Sequence, residues 1–102
     1  MKVYFTITAT KYYFGHEFLE KDMKVKLVKE TDNINDKEAI KVELEGMGQI
    51  GYVANSPFTV VGESFSAGRL YDKIGDTAEG CVMYKLPCAV LCSIEISGNT
   101  KG

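Results

Sequence analysis

The stretch KETDNINDKEAIKVELEGMGQIGYVAN, Lys29 to Asn55, reads as a polar loop feeding a β-hairpin, and the fold follows from it. From Ala39 to Glu45, Ile40, Val42 and Leu44 alternate with Lys41, Glu43 and Glu45, the two-residue period of a half-buried strand. Gly46-Met47-Gly48 then turns the chain. Glycine adopts the positive φ that tight hairpin connections need, so Gln49 to Ala54 is expected to return antiparallel to the first strand. Ahead of the hairpin, Asp32, Asn33, Asn35 and Asp36 crowd one short loop. Their side chains bond nearby backbone, which shapes a loop while leaving some oxygens and amides facing outward.

The same alternation recurs on both sides of the hairpin. Val3, Phe5 and Ile7 oppose Lys2, Tyr4, Thr6 and Thr8, giving a first strand over Lys2 to Ala9. Met23, Val25 and Leu27 alternate with Lys24 and Lys26 in a second strand whose outer face is solvated and basic. Glu79 to Leu86 and Ala89 to Ile96 are the fifth and sixth strands, with Val82, Tyr84 and Leu86 on one face and Val90, Cys92, Ile94 and Ile96 on one face; Leu86-Pro87-Cys88 marks the turn between them. Two helical pieces are expected between the fourth and fifth strands. One opens at Ser56-Pro57 and ends at Gly62; the other runs from Ser66 to Ile74 with Gly75 as its left-handed terminator. Six strands in one small core point to an all-β dominated fold, a small closed or partly closed barrel, because closure removes exposed strand edges.

Composition narrows the function. A chain of 102 residues, 45% hydrophobic and 25% charged, suits one soluble domain, expected over residues 1–97 with a flexible tail at 98–102. Alternating residues follow Met1 directly, without the long apolar run of a signal peptide or membrane span, so a cytoplasmic, membrane-free monomer is expected. Three cysteines, Cys81, Cys88 and Cys92, are an odd number and are expected as reduced thiols. Net charge is -2, with residues 1–41 holding eight lysines against seven acids and residues 42–102 four cations against seven acids. Any polyanion site is therefore local and small.

No cofactor is expected. Cys88 and Cys92 lack the further ligands of a zinc site. Asp32 to Asp36 has the acid density of a calcium loop, but Ile34 takes a ligand position and Lys37 stands where the turn glycine belongs. His16, the one histidine, has no nucleophile or orienting carboxylate around it and is expected exposed in a loop. Tyr13 and Tyr84 read most simply as core rings, Tyr12 as either a barrel-closing ring or a surface platform, and Asp36 as a turn cap, a ligand group or both.

Three segments together resemble the HIRAN domain: Thr8-Ala9-Thr10-Lys11-Tyr12-Tyr13-Phe14-Gly15, then Val28-Lys29-Glu30 through Asp36-Lys37-Glu38-Ala39-Ile40-Lys41-Val42, then Ile50-Gly51-Tyr52-Val53-Ala54. That module stands at the front of some DNA-repair helicase-like remodellers and alone in bacteria. The resemblance covers about residues 3–96 and implies a modified oligonucleotide-binding barrel that captures the 3′ end of single-stranded DNA, without catalysis; a helicase or repair protein is the protein partner it suggests. A terminal nucleotide needs aromatic platforms, a cation or amide for phosphate, and an acceptor for the hydroxyl. Carried over residue by residue, the resemblance puts Lys11 at phosphate, Tyr12 and Tyr84 at bases, and Asn33, Asn35 and Asp36 in the loop that reads the sugar, with Asp36 accepting from the terminal hydroxyl. Tyr52 and Asn55 stand where DNA-binding members have histidine and lysine. The loop Asn33-Ile34-Asn35-Asp36 also departs from those members' Asn-Pro-Tyr-Asp, so one ring and one proline are absent. The competing expectation is a protein-interaction module that keeps the barrel without the DNA site, which suits a pI of 5.4.

Overall fold

The computed structural model describes residues 1–56, 58–87 and 89–96. The elements run β1 (Lys2–Thr8), a 3-10 turn (Thr10–Tyr12), β2 (Lys24–Lys29), β3 (Ile40–Leu44), β4 (Gly48–Val53), α1 (Ala67–Tyr71), β5 (Thr77–Leu86) and β6 (Ala89–Glu95). The six strands close into an antiparallel barrel in the order β1-β4-β3-β2-β5-β6. The hairpin forms as its glycines dictate. Gly46 and Gly48 lie at φ 88° and 84°, and the Met47 amide donates to the Leu44 carbonyl. The core is the inward set of each alternation, including Phe5, Ile7, Val25, Leu27, Ile40, Val42, Ile50, Val90 and Cys92.

The seam between β1 and β4 shapes one end of the barrel. β4 pairs with β1 only through Ile7 opposite Val53 and Thr8 opposite Tyr52. The chain after β4 covers the rest of the β1 edge, with Ala54 donating to Thr6 and Phe65 to Tyr4 through their backbones. A buried side-chain pair pins it there: Thr6 Oγ1 and Ser64 Oγ lie 2.9 Å apart, Thr6 Oγ1 accepts from the Val61 amide, and Ser64 Oγ donates to the Val61 carbonyl. Buried hydroxyls satisfied in this way fix one path for the segment.

One expected helix fails in this region, a second is shorter than expected, and one expectation fails on β5. The helical piece expected after Asn55 is a single turn, in which the Thr59 and Val60 amides both donate to the Ser56 carbonyl. It does not propagate, because Thr59, Val60 and Val61 are β-branched and the Val61 amide is taken by Thr6. Pro57, the Cys88 end of the expected turn and the tail 98–102 lie outside the described residues. The second helix forms as α1, shorter than expected. Ser66 Oγ accepts from the Arg69 amide at its start, Ala67 and Leu70 are buried, and Asp72 rather than Gly75 ends it. On β5 the register slips by one residue between Val82 and Tyr84. Val82 therefore points into the core while Tyr84 is 59% exposed, so the two do not share the face that simple alternation assigns them.

The inward thiol on β6 has a pH consequence. Burial, with Cys81 nearby adding to it, pushes Cys92 up to about 12. The folded chain holds this proton above pH 9, where the unfolded chain releases it, so the thiol's contribution is complete below about pH 9 and declines as pH rises toward 12. Urea unfolding at pH 8 and pH 11 is expected to show wild type losing about 2–3 kcal/mol more than Cys92→Val over that interval. Parallel losses in the two proteins contradict the assignment.

Candidate functional site

The loop between β2 and β3 is organised by Asn33. Its Oδ1 accepts from the Asn35 and Asp36 amides, each at 2.9 Å, and its Nδ2 donates to Glu30 Oε1 at 2.9 Å. Glu30 anchors the loop in turn, its amide donating to the Ala39 carbonyl where β3 begins. Asp36 Oδ1 accepts from the Glu38 amide at 3.0 Å, the expected turn cap. Its second oxygen makes no hydrogen bond among the described residues, so capping and ligand binding are compatible. Asn35 is exposed on this loop, beside an almost fully exposed Ile34.

Asn33 and Asp36 form one wall of a cleft of about 550 Å³; Thr8, Tyr52, Asn55 and Ser56 supply much of the rest. Four of the site residues expected from the sequence, Asn33, Asp36, Tyr52 and Asn55, thus converge from two separate segments. Among the described residues the cleft lining contains a carboxylate but no lysine, arginine or histidine. Its polar walls are already engaged. Tyr52 Oη donates to both Glu30 oxygens, at 3.0 and 3.1 Å. Asn55 Oδ1 accepts from the Gly68 amide at 2.8 Å, and its Nδ2 donates to Glu38 Oε1 at 3.5 Å. The Tyr52 phenol is held above its ordinary 10: a Gln49 side-chain hydrogen bond pulls it down, but partial burial, the Glu30 hydrogen bond and charge, and the nearby Tyr13 together push it higher. Tyr52 is thus a neutral donor at physiological pH.

Lys11 and Tyr12 sit on the 3-10 turn that leaves β1 through Ala9 at φ 66°. Gly51 makes the turn possible. A Cβ there would stand 2.7 Å from the Thr8 carbonyl oxygen and 2.8 Å from Ile7 Cγ2, so only glycine lets the turn lie against β4. Tyr12 is 74% exposed, with Lys11 Nζ 5.3 Å from its ring centre. The surface alternative for Tyr12 therefore holds. Neither residue lines the cleft; the link to it is Tyr13, whose ring centre lies 6.5 Å from that of Tyr52. Tyr13 is itself 37% exposed rather than core, because it packs on the outside of β4. Tyr84 is exposed on β5 and is not among the cleft's lining residues.

His16 departs from expectation. It is half-buried, with Nδ1 2.9 Å from Thr10 Oγ1 and Nε2 3.0 Å from the Leu86 carbonyl, so it ties the aromatic loop to the end of β5. Three other residues escape a reading of the sequence. Glu30 holds both Asn33 and Tyr52. Phe58 is 96% exposed and borders an apolar groove of about 450 Å³ that shares Thr8 and Thr59 with the cleft. Arg69 lies over Phe65, its guanidinium carbon 4.0 Å from the ring centre. Assigning residues 56–62 to a helix hides Phe58, and no local pattern reports on the other two. A separate concavity of about 570 Å³, bordered by Lys24, Lys26, Glu43 and Glu79, contains none of the expected site residues. Among the described residues no group of three or more His, Cys, Asp or Glu is placed to hold a metal, and no helix is long and apolar enough to cross a membrane.

Comparison with known proteins agrees with this architecture. The crystal structure of the HIRAN domain of human HLTF superposes with a TM-score of 0.67 at 20% identity, covering 93% of this chain and 74% of that one, a likeness of fold. A search of curated proteins finds no significant match. The family model for the HIRAN domain matches residues 1–98, nearly the whole sequence. With the closed barrel and the Asp36 to Val42 motif in place, the chain belongs to the HIRAN domain family.

Proposed function

We propose that this protein is a non-catalytic module that binds single-stranded DNA and recognises its 3′-hydroxyl end. The observation that carries the reading is the cleft in which Asn33, Asp36, Tyr52 and Asn55 converge, with one Asp36 oxygen uncommitted beside hydrogen-bonded walls. A carboxylate oxygen accepts a hydroxyl proton well and repels a phosphate. Asp36 takes the terminal hydroxyl, Asn33 and Asn35 hold the sugar side of the loop, and Tyr12 offers an exposed base platform with Lys11 beside it for phosphate. Tyr84 offers a second ring for a nucleotide further along. Tyr52 and Asn55 act by shape, since their polar atoms hold Glu30 and the turn into α1. Residues 1–97 act as one module in this reading, serving DNA repair or fork processing in the cytoplasm, with a helicase or repair protein as the working partner.

A short fluorescent strand ending in a 3′ hydroxyl is expected to bind at least about tenfold more tightly than the same strand ending in a 3′ phosphate, one charged hydrogen bond being worth about 1.5–3 kcal/mol. Asp36→Asn is expected to narrow that ratio. Equal affinity for both ends removes the hydroxyl pocket from the model. A second reading rests on the apolar groove beside Phe58: a protein segment docks there on a barrel that does not bind DNA. Its mark is absence of binding to either strand at low salt.

A further inference from the structure

The cleft that takes the strand end contains no cation, yet every nucleotide behind the terminal one brings a phosphate. The molecule holds one arginine, Arg69, and the structure places it along a continuation of the cleft. A second groove of about 680 Å³ shares Asn55 and Ser56 with the cleft and runs past Ser64, Phe65 and Ser66 to Arg69. Asn55 joins the two structurally as well, because its Oδ1 accepts from the amide of Gly68, the residue before Arg69.

Arg69 is prepared for an anion. Its guanidinium carbon lies 4.0 Å from the Phe65 ring centre, a cation–π contact, and the residue is exposed, so N–H donors remain open to solvent. The Phe65 backbone is fixed, its amide donating to the Tyr4 carbonyl and its backbone bridging Phe5 on β1, and its partly buried side chain packs against the core. Among the described residues Arg69 makes no ion pair, although Glu63 also borders the groove. An arginine placed over a ring and left without a carboxylate keeps its planar N–H donors for a bidentate phosphate contact.

We propose that Arg69, stacked on Phe65, binds an internal phosphate of the single strand whose 3′ end occupies the cleft, so that the strand leaves over Asn55 and Ser56 toward α1. This deepens the DNA-end reading and rests on it. It also gives the protein a phosphate cation at a position separate from Lys11. Lys11 and Arg69 lie on different segments, the turn after β1 and α1 after β4.

The test pairs Arg69→Gln and Arg69→Lys with strands in which single linkages are replaced by neutral methylphosphonate. Arg69→Gln is expected to weaken binding of the 3′-hydroxyl strand about tenfold at low salt and to reduce the salt slope by about 0.7, one phosphate contact on a single strand. Arg69→Lys should recover part of the affinity. One internal methylphosphonate should weaken wild type by a similar factor and leave Arg69→Gln unaffected, which a structural role for the arginine does not produce. Unchanged affinity and slope in Arg69→Gln overturn the assignment while wild-type end preference keeps the DNA-end reading. Failure of wild type to bind any strand overturns both.

Discussion

Phe5→Ala is expected to destabilise the barrel by about 3–5 kcal/mol, enough to consume much of the stability of a domain this size. Phe5 is fully buried in the middle of β1, where its backbone opposes Cys92 on β6 and bridges Phe65 on the covering segment. Its ring reaches across the barrel to β5. A Cβ on Gly80 would stand 2.9 Å from Phe5 Cε1 and 3.0 Å from Cζ, with the Ser93 carbonyl oxygen also at 3.0 Å. Gly80 is therefore the space that the ring fills, and removing the ring leaves a cavity inside the closed barrel. The pairing makes a sharper statement than the single variant. Gly80→Ala overpacks the wild-type ring and should cost about 1–3 kcal/mol. In a Phe5→Leu background, with no ring at that position, the same change should cost much less. Urea unfolding of the four proteins measures the coupling; additive costs show that the ring and the glycine are independent.

Tyr12→Ala is expected to weaken binding to a 3′-hydroxyl single strand by about 1–3 kcal/mol, roughly five- to 150-fold, while leaving the melting temperature within a degree or two. The two halves of that expectation come from one observation, the 74% exposure of a ring that buries little against its own protein. A large exposed ring held on a strained turn, entered through Ala9 at φ 66°, contributes little to folding, so its worth lies in what it meets. Tyr12→Phe should keep most of the affinity, because stacking uses the ring face and the hydroxyl makes no hydrogen bond among the described residues. The arrangement of Lys11 over the ring predicts that Lys11→Ala loses affinity through phosphate and ring orientation together. A Tyr12→Ala protein that is folded and binds as wild type places the base platform elsewhere, on Tyr84 or Phe58.

The contrast between those two residues separates what is local from what is not. Phe5 is legible as core because it sits in a clean alternation with Val3 and Ile7, and the same period yields all six strands to within two residues of their ends. Tyr84 sits in an alternation that looks equally clean, yet a one-residue slip against β6 turns it outward. A bulge belongs to a pair of strands, and a single strand's pattern does not report it. The segment after Asn55 errs for a related reason. Its helix signals are local, and they yield to Thr6, a residue 55 positions away that takes the Val61 amide.

The candidate site divides in the same way. Asn33 and Asp36 are legible as loop-shaping groups because Asx side chains bond amides two or three residues on, and they do so here. The partners of Tyr52 and Asn55 lie at distances of 22 and 13 residues, beyond the reach of any local pattern. Sequence by itself determined the strands, the hairpin turn, the family motif and the residues of the β2–β3 loop, since each follows from backbone geometry within a few positions. Only the tertiary structure decided that the cleft lacks a cation among the described residues, that Tyr12 is exposed while His16 is tied down, and that Arg69 borders a groove that shares Asn55 and Ser56 with the cleft. Those outcomes depend on which strands become neighbours when the barrel closes, and closure brings together side chains that no spacing along the chain relates.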